Sequence, residues 1–372
     1  MLLLLRGIAP GSVPGLMGRE RISARGCALL IAAHNEAGTI GPTVARLRER
    51  LEEWPESRIW VVADRCSDAT AEEAGRAGAQ VVFRGSGELG KCAVITWWLR
   101  EYEAEWRARD AVLILDADSR MAPGSLRALR EAMLKGGAEV AQAFVAPLSD
   151  TGSGRMAGWS EVLMQRIDDE ARRRCGWSVP LRGTGMAFRG ERLAEIAPRL
   201  HTLAEDLEMD VLLAARGVQV RFVPEAVIHD PKPRQAAGAS RQRARWLRGQ
   251  LQVLGGYWRE IGRALASGGL GAFFLLCPLM MRPKIAFIGL RLAGSGLSLF
   301  ISGAAGRILF AWTISGLLMD ALYYLAGAGF VDDPRRYLID LLTAPRYAVM
   351  WLHSLLLTFS KHRQKIWLRA GR

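Results

Sequence analysis

The sequence predicts an α/β fold. The expected architecture is a mostly parallel sheet with helices on both faces, followed by C-terminal transmembrane or interfacial helices. Three observations carry this. Short apolar runs alternate with amphipathic segments through the first third of the chain. Several of those runs are apolar throughout, as strands buried on both faces are. From about residue 265 the composition turns strongly apolar.

The chain has 372 residues, 50% of them hydrophobic and 23% charged, with a net charge of +13. That length allows one to three domains. A basic balance has two usual partners, nucleic acid or an anionic membrane face. No zinc-finger spacing or basic-aromatic RNA-binding pattern occurs, so nucleic acid is set aside and the membrane is favoured. The five cysteines are scattered, with no Cys-x-x-Cys pair. They argue against a disulfide framework and fit a reducing compartment. Residues 1–25 read as an N-terminal tail, since the apolar run at Met1 is too short for a signal peptide or a span.

The first strand is 27–33, running from Cys27 to Ala33 and leaving into His34, Asn35 and Glu36. A helix follows to about 54. The strand at 58–63 ends in Asp64, and Ser67 or Asp68 can cap the next helix. A short strand at 79–83 leads to a glycine-rich turn with Gly90 and Lys91, opening a helix to about 106. Glycines and a lysine at a helix start suit phosphate binding, although the P-loop spacing is missing.

Val112-Leu-Ile-Leu115 is an apolar strand that ends in Asp116-Ala117-Asp118. Ligands of open α/β sheets bind beyond the carboxyl ends of the strands. Two carboxylates there can hold Mg²⁺ or Mn²⁺ and with it a phosphate-bearing substrate. The residues alone leave a second reading open, a polar turn with Asp capping a helix.

A helix at 123–135, a strand at 138–146, a loop at 147–154 and a helix at 155–174 come next. Gly183-Thr184-Gly185 forms a glycine turn into a strand, a shape that lets a ligand approach the backbone. Glu205 and Asp206 open a helix to about 216. They suit the helix dipole, and Asp206 can alternatively serve as a general base. A strand at 218–223 precedes His229, an imidazole that could complete a metal site. Residues 234–265 form a basic helix carrying Gln242, Arg245 and Trp246, where an arginine beside an indole can pair with a diphosphate and stack on a sugar.

Two apolar runs, 285–302 and 308–330, are each long enough to span a bilayer and form a hairpin. Arg291 and Asp320 interrupt them, so both should face protein, water or the interface. The runs 265–281 and 338–360 look interfacial. The basic terminus from Lys361 is expected in the cytoplasm by the positive-inside rule, and an even number of spans then places the N-terminal domain there too.

Taken together in order, Ala33-His-Asn-Glu36, Asp64 with Asp68, Gly90-Lys91, Asp116-Ala117-Asp118, Gly183-Thr184-Gly185, Glu205-Asp206 and Gln242-x-x-Arg245-Trp246 resemble the family 2 glycosyltransferases. Within them the chain looks like the membrane-bound Gln-x-x-Arg-Trp branch, which includes cellulose synthase and ceramide glucosyltransferase. The resemblance implies a GT-A fold over 26–262, with 263–372 as the membrane region. It implies a nucleotide-sugar donor, usually UDP-linked, held by Ala33, Asn35, Glu36, Asp64, Lys91, Asp116 and Ala117. It places Mg²⁺ or Mn²⁺ on Asp118, with His229 as a further candidate ligand. Asp206, beside Glu205, would be the base of an inverting transfer. Gly183, Thr184, Gly185, Gln242, Arg245 and Trp246 would line the acceptor and diphosphate end.

A single hairpin is too small for a polymer channel. The expected acceptor is therefore a membrane-associated lipid or glycan, and the expected location is the inner (cytoplasmic) membrane, multi-pass, with the catalytic domain in the cytoplasm. Two rivals are a nucleotidyltransferase, which would release pyrophosphate, and a non-catalytic membrane scaffold.

Overall fold

The computed structural model of the protein describes residues 25–149, 151–232, 236–281 and 284–359. Most of the expected N-terminal tail and the basic terminus beyond residue 360 lie outside the described residues.

The elements run β1 (Cys27–Ala33), α1 (Ile40–Arg48), β2 (Arg58–Asp64), α2 (Thr70–Arg76), β3 (Gln80–Arg84), α3 (Lys91–Glu101), α4 (Glu103–Arg107), β4 (Ala111–Leu115), β5 (Arg120–Met121) and α5 (Ser125–Leu134). Then come β6 (Val140–Leu148), α6 (Gly152–Leu163), α7 (Glu170–Arg174), β7 (Met186–Phe188), α8 (Gly190–Ile196), α9 (Glu205–Ala214) and β8 (Val220–Pro231). Six helices close the described chain: α10 (Ala236–Gly256), α11 (Trp258–Met281), α12 (Lys284–Ser298), α13 (Gly303–Ala326), α14 (Pro334–Leu341) and α15 (Ala344–Phe359).

The strands form one sheet in the order β3-β2-β1-β4-β7-β6-β8-β5. Strands β1 to β4 pair in parallel, and so do β6 and β8. Among the described strands only β7 and β5 run against their neighbours. The mostly parallel sheet is therefore as expected.

Side chains of a strand point alternately to its two faces, and β1 divides them between two core layers. Ala28, Leu30 and Ala32 face the layer that contains Val94, Ile95, Trp98 and Leu99 of α3. Leu29, Ile31 and Ala33 face the layer with Ile40, Val44 and Leu47 of α1, a spacing that lays one stripe of that helix on the sheet. Every residue of β1 is buried, which explains its uninterrupted apolar run.

Five differences from expectation stand out. The helix from Lys91 breaks at Tyr102, because Trp106 folds back into the core and its indole N–H donates to the Leu99 carbonyl at 2.8 Å. The expected loop at 147–154 is shorter: β6 runs to Leu148, and Thr151 caps α6 by accepting from the Gly154 N–H. The expected helix at 155–174 carries a π turn, Met164–Asp169, between α6 and α7. Strand β8 continues to Pro231, because a bulge between Ala143 and Phe144 carries its pairing with β6 past Pro224 and Glu225.

The fifth difference concerns the long apolar helices. Two helices, Trp258–Leu279 and Gly303–Phe330, are long and apolar enough to cross a membrane. The second is an expected span. The expected span at 285–302 is instead the 15-residue α12, shorter than a bilayer needs, and the other long helix lies where an interfacial run was expected. Part of the apolar surface of α11 serves the protein itself, since Ala264, Ala272, Leu275, Leu276 and Leu279 join the first core layer. Helices α12 and α13 do pair as a hairpin. Arg291 forms an ion pair with Asp320, and Gly316 lies under the Arg291 side chain. Leu299 and Phe300 at the tip are almost fully exposed.

Candidate active site

Parallel strands end along one edge of the sheet, so β1, β2 and β4 deliver His34–Glu36, Asp64 and Asp116–Asp118 to the same rim. Asn35, two residues past β1, and Arg65, the residue after β2, adopt left-handed backbone with φ of 55° and 50°. Non-glycine residues held there cluster at functional sites. Asn35 Oδ1 accepts from the Ser67 N–H at 2.8 Å, and His34 Nδ1 contacts the Asp64 carbonyl at 2.7 Å, which ties the two turns together.

The three aspartates of the rim differ. Asp64 is fully buried and accepts from Arg84 Nη1 at 2.7 Å and from Arg65. Asp116 is 41% exposed and accepts from Lys91 Nζ at 2.5 Å. Asp118 is half-buried, between Ala117 and the strand pairing of Arg120 with His229. Ala33 and Ala117 are buried and bring no polar side chain.

Lys91 sits at the centre. Its ammonium also donates to the Gly183 carbonyl at 2.6 Å and lies 4.0 Å from Glu205. Burial works against its charge, but Asp116 and Glu205 outweigh burial and raise its pKa. Glu205 is the reverse case: burial raises its pKa, against the pull of Lys91, and Asp206 beside it adds to the rise.

The Gly183–Gly185 turn requires its glycines. Both have positive φ, and a Cβ on Gly185 would lie 2.9 Å from Ile228. Between them Thr184 is buried, and its hydroxyl accepts from the Asp116 N–H at 3.2 Å and pairs with Ser119 at 2.8 Å. The turn thus holds both ends of the lysine–aspartate contact.

His229 lies on β8 across from Arg120. Its Nδ1 is buried without a hydrogen-bond partner. Burial, helped by Arg120, holds its pKa below the ordinary 6.5, so the imidazole is neutral at pH 7. Among the described residues no three His, Cys, Asp or Glu side chains converge as a ready-made metal cage. A divalent ion on a nucleotide does not need one, because phosphate oxygens and water fill most of its shell.

Residues 111–359 match the glycosyl transferase family group 2. The chain belongs to this family. Its fold is also that of a mannosyltransferase from Pyrobaculum calidifontis, solved in complex with GDP-Man and Mn²⁺. The two share 15% identity over 97% of this chain and 93% of that one, with a TM-score of 0.57. A glucosyl-3-phosphoglycerate synthase from Mycobacterium tuberculosis, in complex with Mg²⁺ and UDP, matches at 18% identity over 60% of this chain and 77% of its own, with a TM-score of 0.42. No curated protein sequence matches. The protein is a glycosyltransferase, and the expected GT-A architecture is borne out.

Much of what positions the glycosyltransferase's rim was not foreseen. Helix α10 meets the turn before α9 along one face. Arg245 Nη1 donates to the Leu203 carbonyl at 3.2 Å, and Gln252 accepts from the Leu203 N–H at 3.1 Å. Gly249, between them, lets the helix come so close that a Cβ there would lie 2.6 Å from Ala204. Glu205 and Asp206 come directly after. Below them Glu208 is buried and accepts from Thr202 and from the Tyr257 hydroxyl at 2.6 Å, which anchors the first turn of α9. Of the expected Gln242, Arg245 and Trp246, Arg245 reaches this turn. Gln242 is half-buried one turn earlier, and Trp246 is exposed. The i, i+4, i+7 spacing of Arg245, Gly249 and Gln252 was a readable sign. Arg84 had none, being one arginine among many at a strand end.

Proposed function

We propose that this glycosyltransferase moves a sugar from a nucleotide-sugar, with UDP as the first candidate nucleotide, to a hydroxyl of a membrane-associated lipid or glycan, with inversion. The observation that carries the reading is the convergence of Lys91, Asp116, the Gly183 carbonyl and Glu205, with Asp206 adjacent, at one rim of strand ends. A cation between carboxylates suits a diphosphate that arrives with its own metal ion.

In this reading Asn35, Glu36 and the Asp64 turn face the nucleoside, and Lys91 faces the diphosphate. Asp118 and the neutral His229 would hold Mg²⁺ or Mn²⁺, and the fit rests on the unpartnered, buried Nδ1 of His229. When bound, such an ion supplies positive charge where negative charge develops on the leaving diphosphate. Asp206 takes the proton from the acceptor hydroxyl, whose oxygen attacks the anomeric carbon from the side opposite the leaving group. The Gly183–Gly185 turn and α10, with Gln242, Arg245 and Trp246, border the acceptor. The catalytic unit is 26–262. The remainder, with its two helices of spanning length, holds it at the cytoplasmic face of a membrane.

The test is nucleotide release by detergent-purified protein, given a panel of UDP- and GDP-sugars, Mn²⁺ or Mg²⁺, and a membrane lipid extract. Release that needs metal and extract, depends on one sugar and disappears in Asp206→Asn supports the proposal. Pyrophosphate release would support the nucleotidyltransferase rival. Undiminished release by Asp206→Asn would remove that residue as the base.

A further inference from the structure

A second group of charges lies away from the rim, where the sheet meets the C-terminal helices. At the end of the π turn, Asp169 is fully buried. Its two oxygens go to two different arginines. Arg172 Nη1 donates to Oδ1 at 2.8 Å, and Arg182 Nη2 donates to Oδ2. Both arginines are themselves nearly buried. Charge-assisted bonds of this kind are strong and directional in a dry setting.

Each arginine leads somewhere. The Arg182 backbone N–H donates to Gln142 Oε1 at 3.0 Å, and the next residue, Gly183, gives its carbonyl to Lys91. Arg172 turns the other way, and its Nη2 donates to the Phe274 carbonyl at 2.9 Å in α11. Phe274 lies four residues before Pro278, which has no N–H, so the helix cannot satisfy that carbonyl and Arg172 does. Trp177 stacks on the Phe274 ring at 5.5 Å and 12°.

We propose that Asp169 is a positioning residue for the reaction: it joins α11 to the Gly183 turn and so fixes Lys91 on the donor. A purely architectural carboxylate would tie two neighbouring surfaces. This one splits its oxygens between Arg172, which reaches the α11 carbonyl left open by Pro278, and Arg182, the residue next to the lysine's own acceptor. The inference rests on the proposed role of Lys91 in donor binding, and the experiment separates the two.

The full-length protein in detergent is titrated with Mn²⁺ and UDP or GDP, whichever it binds, and its thermal melt is recorded. Lys91→Met, Asp169→Asn, the pair combined, and Arg182→Gln are compared with wild type. Asp169→Asn and Arg182→Gln are each expected to weaken nucleotide binding about tenfold. In the Lys91→Met background Asp169→Asn should add less than about twofold, since residues that act through one contact are not additive. Asp340→Asn is the control. It breaks another largely buried junction, where Arg155 holds Asp340 at 2.8 and 2.9 Å, and should lower the melt while leaving nucleotide affinity unchanged. Full additivity of Lys91→Met and Asp169→Asn overturns the proposal. So does wild-type affinity in Asp169→Asn, or in Arg182→Gln should Asp169→Asn not fold. Unchanged affinity in Lys91→Met overturns the donor-site reading instead.

Discussion

Strands β2 and β4 flank β1, and each brings an aspartate to the same rim, Asp64 as the last residue of β2 and Asp116 just after β4, yet the two carboxylates live differently. Asp64 is 0% exposed, and Arg84 and Arg65 occupy it. Asp116 is 41% exposed and shares one lysine with a backbone carbonyl. A carboxylate has about four lone-pair sites. At Asp64 burial and two guanidinium groups leave little room for a newcomer, whereas Asp116 keeps a solvent-facing side. The contrast separates an aspartate that builds the rim from one that is open to a ligand there.

The largest expected effect tests the closed side. Asp64→Asn leaves Arg84, 5% exposed, without its charge partner, and removing one member of a buried pair costs about 3–5 kcal/mol. Urea melts should show that loss, and Asp64→Asn combined with Arg84→Met should recover much of it. A melt unchanged by Asp64→Asn would break the comparison.

The open side should answer in activity instead. Asp116→Asn is expected to cut turnover by about 10²–10³-fold, the usual loss when one preorganised electrostatic partner of a developing charge is removed. Its urea midpoint should stay close to wild type, since the site is half open to water. A large stability loss with little effect on turnover would reverse the two assignments.

Gly249→Val comes next and asks whether the open side depends on its support. The added methyl groups would strike Ala204, and overpacking of this kind costs about 1–3 kcal/mol. Because the displaced turn carries Glu205 and Asp206, turnover should fall further than the melt predicts. A fall in both by the same proportion would make α10 a simple buttress.

The smallest effect sharpens the closed class. Asp340 is another occupied carboxylate: bonding to Arg155 holds its pKa below the ordinary 3.8, against a smaller push from burial. Its native pKa is depressed, so the stability it adds is present above pH 3.8 and is lost as pH falls below it. Acid titration should therefore separate wild type from Arg155→Gln at neutral pH and bring them together only at pH below about 3.8.

Much of this was legible along the chain. Strands β1 and β4 are apolar runs because both of their faces are covered, and local composition records that. The rim residues were legible because they come directly after those runs. Other features depend on distant partners and leave no local mark. Arg84 matters through Asp64, Gly249 through Ala204, and Asp169 through Arg182, beyond the end of its own helix. The π turn has the polarity of ordinary helix. The 308–330 run was legible as a long apolar helix, whereas the length of α11 was not, because hydropathy does not distinguish apolar residues that stay exposed from those that join the core layer, as several of α11 do.

The π turn at Met164–Asp169 has a consequence for how the gene can change. A π turn amounts to one residue more than an α-helix needs for the same rise. Deleting any single codon within it would leave a regular helix with nearly every helix-forming residue still present. Because the surplus residue is absorbed inside the turn, the helical parts on either side would keep nearly the same facing, whereas the same deletion within α6 would rotate everything after it by about 100°, the angle of one α-helical residue. A deletion within α6 would swing Asp169 away from Arg182, while the composition, charge pattern and apparent helicity of the segment stayed nearly the same. A comparison of sequences would score the two deletions as the same one-residue gap in a helix, although the one outside the π turn would displace the joint between two parts of the enzyme.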